Sequence, residues 1–177
     1  MTGQRHQSPT WHTTTASPLG ELTLVRDTGG IRGLYFAHHW YLPNRATFGS
    51  RADDGFDETT TQLGEYLSGS RREFTLPLSP YGDDFQRRVW AQVQLIPYGE
   101  TVTYGDLAAR VGGDATAQQI GAAVGRNPLC VLIPCHRVVG RGGKLTGYAG
   151  GIARKRHLLE MESEQVAAHW SRESSVS

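Results

Sequence analysis

Up to about residue 80 the apolar positions alternate with polar ones, and beyond it they recur at helical spacing. Thr13-Thr14-Thr15 leads into the turn Ser17-Pro18-Leu19-Gly20, after which Leu22 and Leu24 alternate with polar neighbours. Gly29-Gly30 makes a second turn before Ile31, Leu34 and Phe36, so this stretch predicts an antiparallel meander. Leu63, Tyr66 and Leu67 predict a short amphipathic helix over Asp57 to Leu67. Phe74, Leu76 and Leu78 alternate again, until Pro77, Pro80 and Gly82 break the pattern and suggest a linker around residues 77–83.

In the second half, Phe85, Val89, Val93 and Ile96 predict a helix ended by Pro97-Tyr98-Gly99. Tyr104, Leu107, Ala108 and Val111 form the next stripe. Gly112-Gly113 then turns the chain, Asp114 offers an N-cap, and Ala117, Ile120, Gly121 and Val124 line a further helix. Two short helices about a glycine turn match a helix-turn-helix, although packed helix pairs show the same pattern. The outward face of the second helix carries Ala115, Gln118, Gln119, Ala122 and Arg126. Major-groove readers bring longer polar side chains to base edges, whereas so smooth a face suits a minor groove. A partly covered surface would look the same.

The expected fold class is α/β, a small strand-rich α/β domain followed by a mainly helical one. The expected organisation is a disordered extension over 1–12, an N-terminal domain over 13–79, a C-terminal domain over 80–162 and a flexible tail over 163–177.

Hydrophobic residues at 38% and charged residues at 20% are ordinary for a soluble globular protein. No apolar run approaches the roughly 18 residues of a membrane span. Met1 to Thr10 lacks the apolar stretch of a signal peptide, so the chain reads as cytoplasmic. Residues 1–83 carry 7 basic and 9 acidic side chains, and residues 84–162 carry 10 basic and 6 acidic, so the second half permits a polyanionic partner. Cys130 and Cys135 are too few for a disulfide scaffold and lie in no metal-binding spacing, so no metal is expected. His38-His39 reads as a surface doublet.

Val131-Leu132-Ile133 predicts a buried strand that stops at Pro134 and delivers Cys135, His136 and Arg137. A cysteine leaving a dry strand beside cations is where a thiolate is stabilised. His136 would relay its proton, directly or through water, and a buried carboxylate, Glu160 or Glu162, would orient the ring. A structural cysteine beside an exposed histidine fits the same pair.

Ile133-Pro134-Cys135-His136-Arg137-Val138 resembles the signature of the O6-alkylguanine-DNA alkyltransferases, the methylated-DNA–protein-cysteine methyltransferases. The resemblance extends in order through Phe85-Gln86-Arg87-Arg88-Val89-Trp90, Ile96-Pro97-Tyr98-Gly99-Glu100-Thr101, Thr103-Tyr104, Gly125-Arg126-Asn127-Pro128, Leu145 to Gly151 and Lys155 to Glu160. It covers residues 84–162 closely and the strand-rich half more loosely. It implies direct, single-turnover DNA repair: an alkyl group passes from O6-alkylguanine, and from O4-alkylthymine, to Cys135 and inactivates the protein. No cofactor is implied. The implied partner is double-stranded DNA bound through the minor groove by a monomer, with no membrane.

The resemblance also implies roles. Cys135 would accept the alkyl group, His136 would deprotonate it through water, and Glu162 would hold His136. Asn127 would fasten the loop after the recognition helix. Tyr104 would press on the phosphate flanking the extruded nucleotide, in a base-flipping mechanism. The backbone of Cys135 and Val138, with Tyr148, would read the guanine beneath a lid over Gly147 to Gly151. Arg137 would bridge the two domains. Gln118 stands where the family usually has the arginine that fills the gap left by the extruded base, and Cys130 where it usually has proline. An alkyltransferase-like lesion binder would lack the cysteine, a cysteine hydrolase would leave the helix-turn-helix unexplained, and a regulator would need a further domain.

Overall fold

Alternation puts Leu22 and Leu24 on the buried face of β2 (Leu22–Asp27), between β1 (Trp11–Thr15) and β3 (Gly30–Phe36). In this computed structural model, which describes residues 8–173, both pairings are antiparallel. The short β4 (Ser50–Arg51) adds in parallel to β1, giving the order β3-β2-β1-β4. The meander is therefore as expected, but it begins inside the segment expected to be disordered. Trp11 pairs with Arg26, whose guanidinium lies 4.6 Å from the indole centroid. That cation–π contact and the strand pairing order residues 11 and 12. The same expectation for residues 1–7 lies outside the described residues.

α1 (Asp57–Leu67) turns Leu63 and Tyr66 inward, with Asp57 and Glu58 at its positive end. The alternation at Phe74 to Leu78 gives no strand beyond one bridge from Leu78 to Ile31. Pro77 has no N–H to donate, so its carbonyl alone accepts from Ile31. The Thr75 N–H turns instead to the Gln62 side chain at 2.9 Å.

The helical half consists of α2 (Asp84–Gln94), α3 (Tyr104–Val111), α4 (Ala117–Gly125) and α5 (Ile152–Glu173), with a two-stranded parallel pair of β5 (Val102–Thr103) and β6 (Val138–Val139). The cap of α4 is Thr116 rather than Asp114. Thr116 accepts from the Gln119 N–H while Gln119 reaches back to the Thr116 N–H, so two orphan donors are satisfied together. Asp114 sits two residues earlier with φ 44, and Ala115 precedes the helix instead of lying on its face.

α5 continues through Glu173, so residues 163–173, expected to be a flexible tail, are helical. No helix among the described residues is long and apolar enough to cross a membrane. One continuous core runs from Leu22, Leu34 and Tyr66 to Trp90, Ile120 and Leu158.

Candidate active site

Val131 to Ile133 is buried but is not a strand. Val131 takes φ 74, Cys130 bridges to Ile133, and the chain then enters a single 3-10 turn at Cys135–Arg137. Asn127 imposes this path: its amide donates to the Ile133 carbonyl and its oxygen accepts from the Leu129 N–H, both at 2.9 Å. From the other domain, the Leu34 N–H of edge strand β3 donates to the Pro128 carbonyl at 2.8 Å. β6 leaves the 3-10 turn and pairs with β5, Val102 with Val138 and Thr103 with Val139. That pairing sets Tyr104, the first residue of α3, beside the Cys135 segment.

Cys135 keeps 3% of its surface exposed and Cys130 none, with their sulfurs 3.7 Å apart. Either thiol can donate across this contact, and the contact with Cys130 holds the Cys135 thiol below its ordinary pKa despite burial; Asn127 and the charge of Lys155 act in the same direction. The same bond and burial push Cys130 well up. Tyr148 is buried beside both sulfurs, with its hydroxyl next to the Cys130 thiol, and burial pushes its pKa well up.

His136 and Glu162 are wholly buried, with His136 Nε2 2.8 Å from Glu162 Oε1. A carboxylate only accepts, so Nε2 carries the hydrogen and Nδ1 presents its lone pair, bonded to no protein group. Burial lowers the His136 pKa, so the ring is neutral at pH 7 and its Nδ1 lone pair is free to accept. Burial alone would raise the Glu162 carboxyl, but the bonds from His136 and Arg137 outweigh it and hold the group at about 2. Arg137 meets both Glu162 oxygens, and its Nη1 donates to the Ile96 carbonyl. Those bonds lie within the helical half, while its charge also acts on the Tyr66 hydroxyl of the N-terminal domain. The crossing is made by Tyr66 of α1, whose hydroxyl donates to Glu162 Oε1 and lies 3.3 Å from His136 Nε2. Gly99, at φ 78, donates its N–H to Glu162 Oε2 at 2.9 Å.

An open cleft of about 750 Å³ is lined by Thr103, Tyr104, Ala117, Gln118, Gly121, Thr146 and Gly147, among others. A second hollow of about 270 Å³ lies between α2 and α4, lined by Gln119, Ala122 and Arg126. The proposed helix face is therefore divided: Gln118 faces the cleft beside Tyr104, and Ala122 and Arg126 line the other side. Ala115 lies on neither and packs against the core.

The segment above the cleft is pinned by the buried Lys155, whose Nζ donates to Val138 O at 2.5 Å, Thr146 O at 2.9 Å and Gly147 O at 3.5 Å. Gly150 lies so close to Phe36 that a Cβ there would come within 2.4 Å of its ring. Trp40 of the N-terminal domain stands over Gly147, and the Arg126 guanidinium sits 4.4 Å from the Tyr41 ring centroid.

Sequence reasoning missed Tyr66 and Lys155. Tyr66 read as one apolar position on a helical stripe, and nothing local marks which aromatic carries a used hydroxyl. Lys155 read as part of a basic run. Glu160 is exposed, and of the two carboxylates it is Glu162 that meets His136. His39 is not a surface residue: it is 8% exposed, packed against Tyr35 and Phe36, and burial lowers its pKa to about 4. No group of three or more His, Cys, Asp or Glu side chains is placed to hold a metal ion among the described residues.

Residues 84–164 match the family model described as 6-O-methylguanine DNA methyltransferase, DNA binding domain, and residues 11–80 match that of its ribonuclease-like domain. The chain is 43% identical to the methylated-DNA–protein-cysteine methyltransferase of Mycobacterium bovis over 152 residues, 86% of this chain and 92% of that one. It is 38% identical to the constitutive enzyme of Bacillus subtilis over 156 residues, 86% and 94% of the two chains. The crystal structure of Mycobacterium tuberculosis OGT in complex with DNA superposes with a TM-score of 0.83 at 42% identity, covering 88% of this chain and 94% of that one.

Proposed function

The chain belongs to the methylated-DNA–protein-cysteine methyltransferase family, and from that premise we propose that it repairs double-stranded DNA by moving an alkyl group from the O6 atom of guanine to Cys135. The observation that carries this reading is a nearly buried cysteine followed by a histidine whose Nε2 is held 2.8 Å from a buried carboxylate, with Tyr104, which lines the neighbouring cleft of about 750 Å³, close to Cys135. The alkyl carbon is out of reach inside a duplex, so the nucleotide is turned out into the cleft. Tyr104 flanks it on one side and the Thr146–Gly147 segment on the other.

His136 Nδ1 takes the thiol proton through one bridging water, and Glu162 holds the charge that the ring then gains. The thiolate displaces guanine in line at the saturated carbon. The S–C bond forms as the C–O bond breaks, and guanine leaves with the electron pair and takes up a proton. The Tyr148 hydroxyl is available to donate to the base as this charge develops. The thioether product resists water, so each molecule acts once without a cofactor. O4-alkylthymine presents the same ether carbon and is a second substrate.

Residues 80–162 act as the DNA-binding and acceptor domain. α4 meets the minor groove with Gln118 on its cleft side and Gln119 and Ala122 on the other, the small Ala122 allowing close approach and Arg126 at its end supplying charge. The protein works as a monomer, and its two free thiols suit the reducing cytoplasm. Intact-mass measurement after incubation with an O6-methylguanine duplex tests this reading. A single gain of about 14 Da on the Cys135 peptide, absent in Cys135→Ser, is expected for transfer of one methyl to a thiol. Repeated turnover, or label on Cys130, overturns it.

A further inference from the structure

We propose that Cys130 and Cys135 form a reversible disulfide under peroxide, which withdraws the acceptor thiol from use and shields it from irreversible oxidation. The two sulfurs are already 3.7 Å apart, in contact and with no atom between them. A disulfide needs about 2.05 Å, a closure of under 2 Å within reach of side-chain rotation. Alkyl transfer itself does not need a second sulfur, so Cys130 is a buried nucleophile that the repair chemistry leaves unused.

Exposure and acidity fix the order of events. Cys135 retains a little surface and its thiol is the more acidic, whereas Cys130 is sealed and its thiol is held protonated. A small peroxide therefore meets Cys135 first. Its thiolate attacks one peroxide oxygen, the O–O bond breaks, and Cys135 becomes a sulfenic acid as hydroxide leaves. Cys130 then attacks the oxidised sulfur. The S–S bond forms, the S–O bond breaks, and the Cys130 proton leaves with the hydroxyl as water. One peroxide is reduced by two electrons as two thiols become one disulfide. The ring spans only Cys130 to Cys135, so it adds little unfolded-state constraint and is readily reduced by a small dithiol.

The test is peroxide titration of the full chain, followed by denaturing, non-reducing intact mass. The chain has two cysteines, so a monomer lighter by about 2 Da has only one possible pairing. That species is expected to grow as alkyl acceptance falls, and dithiothreitol is expected to restore both. Cys130→Ala and Cys130→Ser, each compared with its own reduced activity, are expected to show a trappable sulfenic acid, then higher oxides and a loss that dithiothreitol does not reverse. The proposal is overturned if the wild type shows no lighter species, or if it and the variants lose acceptance equally and irreversibly. The mass shift is read without DNA, so it stands or falls apart from the repair reaction.

Discussion

The Tyr66 hydroxyl has one proton and gives it to Glu162, so its effect on the thiol runs through His136. Tyr66→Phe removes a donor from an oxygen that still receives His136 and Arg137, leaving the carboxylate in place but less firmly aimed. Loss of one such bond is expected to slow single-turnover alkyl transfer at neutral pH by about three- to tenfold. The deficit should shrink as pH rises and solvent deprotonates Cys135 unaided, while DNA affinity stays unchanged. Stopped-time methyl transfer across pH checks this. A deficit constant with pH would make Tyr66 a packing residue only. Glu162→Gln should give a larger deficit of the same shape, and the two changes together should be less than additive, because both act through one ring.

At the scale of elements, α4 and the lid carry the substrate-facing predictions. Gln118 lines the cleft with Tyr104, but glutamine is shorter than arginine and has no charge. Gln118→Arg is expected to speed repair in duplex DNA by about fivefold or more, the scale of one base contact, and to leave repair of the free modified base unchanged. Both rates need one fixed salt concentration, since added charge alters DNA affinity. An unchanged or slower duplex rate would move the gap-filling role elsewhere, Arg126 first. The lid depends on Lys155, whose pKa burial lowers to about 8. Above that pH the amine keeps two hydrogens for three carbonyls. Amide exchange over residues 144–150, corrected for its intrinsic pH dependence, should therefore accelerate as pH rises through 8. Lys155→Met should be fast throughout.

The sequence made α3 and α4 legible because their apolar stripes are regular. The path from Asn127 to Cys135 was not legible, because a local run of valine, leucine and isoleucine reads as a strand wherever it is buried. Here two side-chain bonds from Asn127 and a positive φ at Val131 override that propensity. Cys135, His136 and Glu162 could be assigned because they stand in or near a motif. Tyr66 arrives from another domain, which no local pattern encodes.

For the whole molecule, burial of titratable groups at the joint between the sheet and the helices makes stability depend on pH in two separate windows. Glu162 is held at about 2 against an ordinary value of 4.5, so its contribution is complete above about pH 4.5 and is lost as pH falls toward 2. That contribution is on the order of 3 kcal/mol. His39 is lowered to about 4 from 6.5. Below pH 6.5 the unfolded chain takes up a proton there that the folded one refuses, so stability falls with pH until about 4. His39 packs between Tyr35 and Phe36 with Nδ1 unbonded, so a phenyl ring fits the same contacts without a titrating group. Urea unfolding of the wild type and His39→Phe at pH 7 and pH 5 separates this group from the others, because Glu162 contributes fully at both values. Burial also lowers His136, but its contribution is common to the two proteins and cancels in the comparison. The wild type is expected to lose about 2 kcal/mol more than His39→Phe over that interval. Parallel losses in the two proteins would show that His39 takes up its proton in the folded state, with the loop that carries it opening to water as it does so.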